Sequence, residues 1–328
     1  TVMMIPIAIS VLNFIGQSQG DSDKYLDNFS VALFLSIAYA ANIGGIMTPI
    51  GTPPNVVLMG YLDELYSRKI DFEYWMMAVA PIAITVLCIM FIVIKTLFPF
   101  KIKIDQNFRT FLLAKIKALG VINRKQKQTL AVFSTVCLLW IFKGLIHSLA
   151  GVQFLNDTSI AIGGGTLLFF LRILDEEDIA KLPWNIVLLF GGGMALASTL
   201  NHVGLIQMAT NYLSSLDFSS AWVLVLVTSA SVLFLTEIMS NVALCVVALP
   251  LLLKLGETQG IQPLLVAIPA TLCASFAFSM PISTPPNAIV FGTGRVRIVH
   301  MMKAGIILNL ISIAVVMTLG WYLLKLLL

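Results

Sequence analysis

The chain has 328 residues, 59% hydrophobic and only 11% charged, with a formal net charge of +4 and a mean hydropathy of +0.96. Soluble domains carry charge at roughly 25% of positions, so a water-soluble globular fold is excluded and an all-α polytopic membrane protein in a lipid bilayer is indicated. The four cysteines and three histidines are scattered singly. That spacing excludes a disulfide framework, a metal centre and a clustered catalytic site, so no enzyme is expected.

In chain order, the sequence opens on an apolar run, 1–15, that starts at Thr1 with no targeting signal, and reads as part of a longer protein with residues upstream. Segment 38–60 is apolar but interrupted by Thr52-Pro53-Pro54-Asn55. Residues 62–73 carry Asp63, Glu64, Asp71 and Glu73 against Arg68 and Lys69, the make-up of an external loop. Segments 76–94 and 130–146 are each about the ~20 residues of a bilayer span. Between them, from Lys95 to Lys127, nine basic residues face one acid, Asp105. Short basic loops stay in the cytoplasm, so the linker 101–128 is expected inside; its place between two spans argues against a nucleic-acid patch.

Further on, 163–165 and 191–193 are glycine triplets suited to close helix packing. Trp75, Trp184 and Trp321 near span ends are expected as interfacial anchors, and 202–216 is an amphipathic surface stretch. The apolar stretch 219–255 breaks at Thr236-Glu237-Ile238-Met239-Ser240-Asn241-Val242, with Glu237 its only acid. It reads as a re-entrant hairpin whose tip lies at membrane depth, with Ser240 and Asn241 capping the second half-helix. Segment 264–292 is interrupted by Thr284-Pro285-Pro286-Asn287. Arg295, Arg297 and Lys303 then place that end inside, and the last span, 303–327, carries the C-terminus outside.

The two interrupted segments are copies. Residues 38–60 align without gaps to 270–292, with identity at Ala38/Ala270, Pro49/Pro281, Ile50/Ile282, Thr52/Thr284, Pro53/Pro285, Pro54/Pro286, Asn55/Asn287 and Gly60/Gly292. The charge pattern sends the first outward and the second inward, the pattern of inverted repeats with broken helices in secondary transporters. Residues 1–100 would be the C-terminal part of the first repeat, and the second repeat would fill 129–328. Val2–Pro6 resembles Val246–Pro250, so the counterpart of Ser240-Asn241 would fall upstream of Thr1.

Consecutive prolines cannot sit inside a helix but are tolerated in its first turn. Each segment therefore predicts a helix ending near Pro49 or Pro281, an unwound stretch, and a half-helix from Pro53 or Pro285 capped by Thr52 or Thr284. Half-helix N-termini offer N–H groups to a carboxylate or sulfate, and the carbonyls near Gly51 and Ser283 suit a small hard cation. No lysine or arginine lies close in sequence to any of the breaks. A bound dianion then needs co-bound cations to offset the cost of burying its charge.

The pattern Ala274-Ser275-(two)-Phe278-(two)-Pro281-Ile282-Ser283-(three)-Asn287-Ala288-Ile289-Val290, with 182–193 and 235–241, resembles the signature of the divalent anion:sodium symporters, in particular the bacterial sodium-dependent dicarboxylate carriers. The resemblance covers essentially the whole chain. It implies a homodimer in the bacterial inner membrane that moves C4 dicarboxylates such as succinate, malate or fumarate with sodium ions, by an elevator motion. Carried over, one sodium site uses Thr236, Ser240 and Asn241 with backbone near Ser283. The other uses Gly51 with hairpin residues upstream of Thr1. Substrate carboxylates meet Asn241, Thr284 and Pro285 and, from the other repeat, Thr52 and Pro53. One departure stands out: the family's Ser-Asn-Thr tip reads Ser240-Asn241-Val242 here. Sodium-independent exchange, sulfate or tricarboxylate transport, proton coupling through Glu237 and an anion channel are the alternatives.

Overall fold

The computed structural model describes residues 1–19, 24–100, 106–150, 156–182, 184–214, 218 and 220–327. Lys101, Lys103 and Asp105 of the basic linker, Pro183 and Ser219 lie outside these. The described residues are helical with connecting turns, and no strand occurs among them.

Helix α1 (Met4–Gln19) leads to α2 (Lys24–Ile46), and α3 (Pro53–Tyr66) resumes at the double proline. Then come α4 (Phe72–Leu97), α5 (Gln106–Ala118), α6 (Arg124–Ala150), α7 (Asp157–Phe170), α8 (Glu176–Ala180), α9 (Trp184–His202) and α10 (Leu205–Ser214). Helices α11 (Ala221–Thr236) and α12 (Asn241–Thr258) are joined by a short turn, and α12 ends past the expected 255. Helix α13 (Pro263–Ser275) and α14 (Pro285–Gly292) are the second interrupted pair. Helix α15 (Ile298–Val315) continues through a π-helical turn, Val316–Gly320, into α16 (Trp321–Leu327), so the last apolar helix starts five residues before the expected 303. Among the described residues, five helices are long and apolar enough to cross a membrane: Tyr25–Ile46, Phe72–Leu97, Arg124–Ser148, Asn241–Thr258 and Ile298–Leu327. The protein is a multi-pass membrane protein.

The chain divides into two compact units. The larger comprises Thr1–Lys69, Met77–Lys103 and Leu188–Leu328. At its centre is α13, buried at every position from Leu264 to Ser275 and packed against α11, α12, α2 and α3. A helix apolar on all sides has no solvent face to satisfy, and an interior position follows. Pro250 inside α12 leaves the Val246 carbonyl without its helical donor; Tyr61 Oη of α3 supplies one at 2.8 Å and also reaches the Gly193 carbonyl at 3.2 Å. A Cβ on Gly193 would collide with Val246, so close packing is what this triplet contributes at that position. Helix α10 is less superficial than its amphipathic pattern suggested: Ile206 and Thr210 are buried and the helix packs on α12. The π-helical turn leaves the Met317 carbonyl to accept from Trp222 Nε1 at 3.0 Å.

The smaller unit comprises Ile70–Met76 and Ile104–Val187. Its helices α6 and α7 pack together, and Gly164 lies so close to Val136 that a Cβ would not fit. Lys143, in an apolar stretch of α6, has only 4% of its side chain exposed; it is neutralised by Asp71 at 2.5 Å and Asp157 at 2.7 Å. Trp140 Nε1 donates to the Asp157 carbonyl and its ring stacks on Phe72 at 5.1 Å. Asp71, read from sequence as an external loop charge, thus belongs to a folded ion cluster. Trp75, expected as an interfacial anchor, is instead 1% exposed; its ring is enclosed by protein, so it meets no headgroup layer.

Removing one member of a buried ion pair costs about 3–5 kcal/mol when the other is left unpaired in the interior. Here both aspartates are more than a third exposed, so water recovers part of that. Lys143→Met is expected to destabilise by about 1–3 kcal/mol and Asp71→Asn by less, as read from thermal unfolding in detergent.

Candidate functional site

The first break runs over 47–52 between α2 and α3. Helix α2 stops at Ile46, earlier than the Pro49 expected from sequence. The glycines explain the geometry: the Gly51 carbonyl lies 3.1 Å from where a Cβ on Gly45 would stand, and a Cβ on Gly51 would run into the Gly45 carbonyl and, at 2.7 Å, Thr48 Oγ1. The chain folds back on itself more tightly than any side chain at 51 allows. Asn55, fully buried in the first turn of α3, then stitches the loop, its Nδ2 donating to the Thr48 carbonyl at 2.9 Å and the Ile46 carbonyl at 3.3 Å. The Ile46 carbonyl is one that the end of α2 leaves without a helical partner.

The second break runs over 276–284, starting well before the expected Pro281 because α13 ends at Ser275. Asn287 repeats the role of Asn55: its Nδ2 donates to the Met280 carbonyl, seven residues back as in the first repeat, and to the Ala277 carbonyl at 2.9 Å. The final residue of Thr-Pro-Pro-Asn is thus a loop-closing amide in both copies.

The backbone donors of this longer break go to Glu237. Its Oε1 accepts from the Phe278 and Ser279 N–H groups at 3.0 and 2.9 Å, and its Oε2 accepts from Met280 N–H at 2.9 Å. Asn309 Nδ2 of α15 donates to Oε1 and to Ser279 Oγ. Helix α15 can come this close because residue 305 is glycine; a Cβ there would overlap the 278–279 backbone. Glu237 is 6% exposed and forms no ion pair with a basic group among the described residues. Four donors and no acceptor meet it, the environment of an acceptor-only carboxylate.

Of the remaining candidate residues, Thr236, Ser283 and Thr284 are tied to the second break by hydrogen bonds. Thr236 is fully buried beside Glu237, and its Oγ1 donates to the Ala274 carbonyl at 3.2 Å, tying the hairpin to the end of α13. Ser283 Oγ donates to the Met280 carbonyl at 2.7 Å. Thr284 caps α14 as expected, accepting from Asn287 N–H at 3.4 Å, and Asn42 of α2 reaches the same Oγ1 at 3.1 Å. Pro285 is exposed at the start of α14; Pro53, Thr52 and Gly51 are at least partly exposed at the first break. Asn241 and Val242 are buried in the first turn of α12 and Ser240 is exposed ahead of them.

Two expected caps fail in detail. Thr52 and Ser240 occupy the cap positions with extended backbone, yet neither side chain bonds the following turn. At α3 the prolines at the first two positions have no N–H to offer, and the Asn55 N–H is taken by the Thr52 backbone carbonyl at 3.1 Å. Sequence reasoning missed Asn42, Asn309, Tyr61 and Gly305. The first two carried a signal, since each is an amide within an apolar stretch of helix, where polar side chains require partners.

Six buried side-chain oxygens among the described residues have no hydrogen-bond partner, and two of them, Ser275 Oγ at the end of α13 and Asn55 Oδ1 at the first break, lie beside the breaks. Unpartnered buried oxygens cost on the order of 1–3 kcal/mol each, unless something else coordinates them.

Glu237→Gln would put an amide donor against backbone donors. It is expected to destabilise by about 1–3 kcal/mol and to speed amide exchange at Phe278, Ser279 and Met280 relative to the α13 interior. Unchanged exchange at these three amides would contradict the assigned role.

The family model described as the sodium:sulfate symporter transmembrane region matches residues 1–327. A sodium-dependent dicarboxylate transporter of Staphylococcus saprophyticus is 35% identical over 98% of this chain and 64% of its own length. Transporters of the same description from Staphylococcus aureus strains MRSA252 and NCTC 8325 are each 33% identical, over 100% and 98% of this chain. The chain thus spans somewhat under two thirds of these relatives, and these are transporters rather than enzymes. With the paired helix breaks and the full-length family match, this chain belongs to the sodium:sulfate symporter transmembrane family.

Proposed function

We propose that this chain forms the membrane core of a sodium-coupled symporter for C4 dicarboxylates in a bacterial plasma membrane. The observation that carries the reading is the make-up of the second break. A buried carboxylate, Glu237, already sits there without a basic partner, and the surrounding groups are neutral oxygens and amides. Adding a dianion to such a place is electrostatically prohibitive unless cations enter with it. Hydroxyls, amide oxygens and unwound carbonyls are the ligands hard monovalent cations prefer, and of the six buried side-chain oxygens without a partner among the described residues, Asn55 Oδ1 lies at the first break and Ser275 Oγ beside the second.

In this reading sodium is cargo, held by Thr236, Ser240 and Asn241 with backbone near Ser283, and at the other break by backbone near Gly51. Substrate carboxylates meet Asn241, Thr284 and Pro285 on one side and Thr52 and Pro53 on the other. The repeats, 1–100 and 129–328, are inverted about the membrane plane, with the linker 101–128 in the cytoplasm and the C-terminus outside. A homodimer and an elevator motion follow from the family resemblance, and the names of the staphylococcal relatives support dicarboxylate as substrate. Proton coupling through Glu237 is disfavoured by its bonding: the carboxylate serves as acceptor for four donors and is built into the backbone of the break.

Uptake of labelled succinate, citrate and sulfate by the complete protein in proteoliposomes tests the reading. Succinate uptake is expected to require sodium and to collapse when choline replaces it; sodium-independent succinate exchange or preferred sulfate uptake would overturn it. Val242→Thr restores a donor at the hairpin tip. A bond to a charged partner is worth about 1.5–3 kcal/mol, so this variant is expected to lower the KM for succinate by roughly tenfold, at a cost in stability of the substrate-free protein because position 242 is buried.

A further inference from the structure

Asn42 stands in the last turn of α2, 7% exposed, and its amide reaches out of the first repeat into the second. Nδ2 donates to Thr284 Oγ1 and to Asn287 Oδ1, both at 3.1 Å. Thr284 Oγ1 also accepts the Asn287 backbone N–H at 3.4 Å. A hydroxyl oxygen has two acceptor positions and one hydrogen. With both acceptor positions engaged, Thr284 can serve a third partner only as a donor, and its hydrogen must turn away from Asn42 and from the first turn of α14.

We propose that Asn42 is a positioning residue that fixes Thr284 as a one-way hydrogen-bond donor to a substrate carboxylate at the second break. The assignment rests on the reading above, in which Thr284 touches substrate, and adds the group that orients it. Geometry and cost favour this over incidental packing. An amide deep in an apolar helix needs partners, and of the possible ones Asn42 takes the cap hydroxyl and the loop-closing amide of the other repeat. The two halves of the site are consequently unequal. In the repeat alignment Asn42 corresponds to Ala274, which has no side-chain donor to orient Thr52. Thr52 in turn makes no side-chain bond to its half-helix, so its hydroxyl is free to rotate. One carboxylate of the substrate meets a fixed donor; the other meets an adaptable one.

The test is a double-mutant cycle in the complete protein, combining Asn42→Ala with Thr284→Val, which keeps the shape of threonine without its hydroxyl. Thr284→Val is expected to raise the KM for succinate at least about tenfold, and Asn42→Ala severalfold, with kcat retained. In the Thr284→Val background, Asn42→Ala should raise KM no further, since it acts through that hydroxyl. Asn42→Asp keeps the size of asparagine but would draw the Thr284 hydrogen inward, so it should be worse than alanine. The thermal stabilisation that sodium gives without any anion should be the same in wild type and Asn42→Ala. Additive KM effects, or an equal loss of sodium stabilisation, would overturn the assignment and leave Asn42 a packing residue. Stabilisation of the purified wild type by each anion separates the two levels. If sulfate or citrate stabilises it and succinate does not, the dicarboxylate reading fails and the cycle is read with that anion. If no anion does, both fail.

Discussion

The carboxylate of Glu237 is the constraint on which the described site depends. An unwound stretch of backbone inside a membrane protein exposes N–H groups that no water is available to satisfy. Over 278–280 those groups converge on a single side chain from the hairpin turn, with Asn309 of α15 completing the ring of donors. Three elements otherwise distant in sequence, the hairpin tip, the break and the last long helix, are thereby locked at one point. Gly305 is the steric counterpart of this arrangement, because only a residue without a Cβ lets α15 lie against the 278–279 backbone. The same arrangement places a carboxylate with no basic partner among the described residues at the second break.

The two breaks solve one problem with partly shared parts. Both use the asparagine of Thr-Pro-Pro-Asn to close the loop onto a carbonyl seven residues upstream. Beyond that they diverge: the first is a tight turn built on Gly45 and Gly51, and the second is longer and held by Glu237. A duplicated sequence motif thus yields a site with matched half-helix starts and unmatched surroundings. The Asn42 amide, bonded to Thr284 and Asn287 of the second break, is where the asymmetry between the breaks is most concrete.

Stability in the smaller unit rests on a different balance. Lys143 is almost entirely enclosed, while its aspartate partners remain in contact with solvent. The lysine stem gains apolar burial, and its charge is met at the edge, where the carboxylates keep part of their hydration. The large apolar residues that both units leave exposed, such as Phe91, Ile92 and Phe133, are those a bilayer rather than water would cover.

The sequence by itself determined that the chain lies in a membrane, that helices restart at Pro53 and Pro285, and that a hairpin turns near Glu237. Each of these follows from local chemistry: run length of apolar residues, the missing N–H of proline, and a polar interruption in an apolar stretch. The family, too, was legible in the motif around Ala274–Val290, and the structure keeps Thr284 at its cap and Thr236 beside the second break. Where the first arms of the breaks end was not legible. Helix α13 stops at Ser275 rather than near Pro281 because Glu237 and Asn309 offer its successors better partners than another helical turn could. The idle side chains of Thr52 and Ser240, and the pairing of Asn42 with a hydroxyl 242 residues away, were likewise decided only by the tertiary structure. Hydrogen-bond donors and acceptors can be counted in a sequence, but which donor meets which acceptor depends on packing between segments that no local pattern relates.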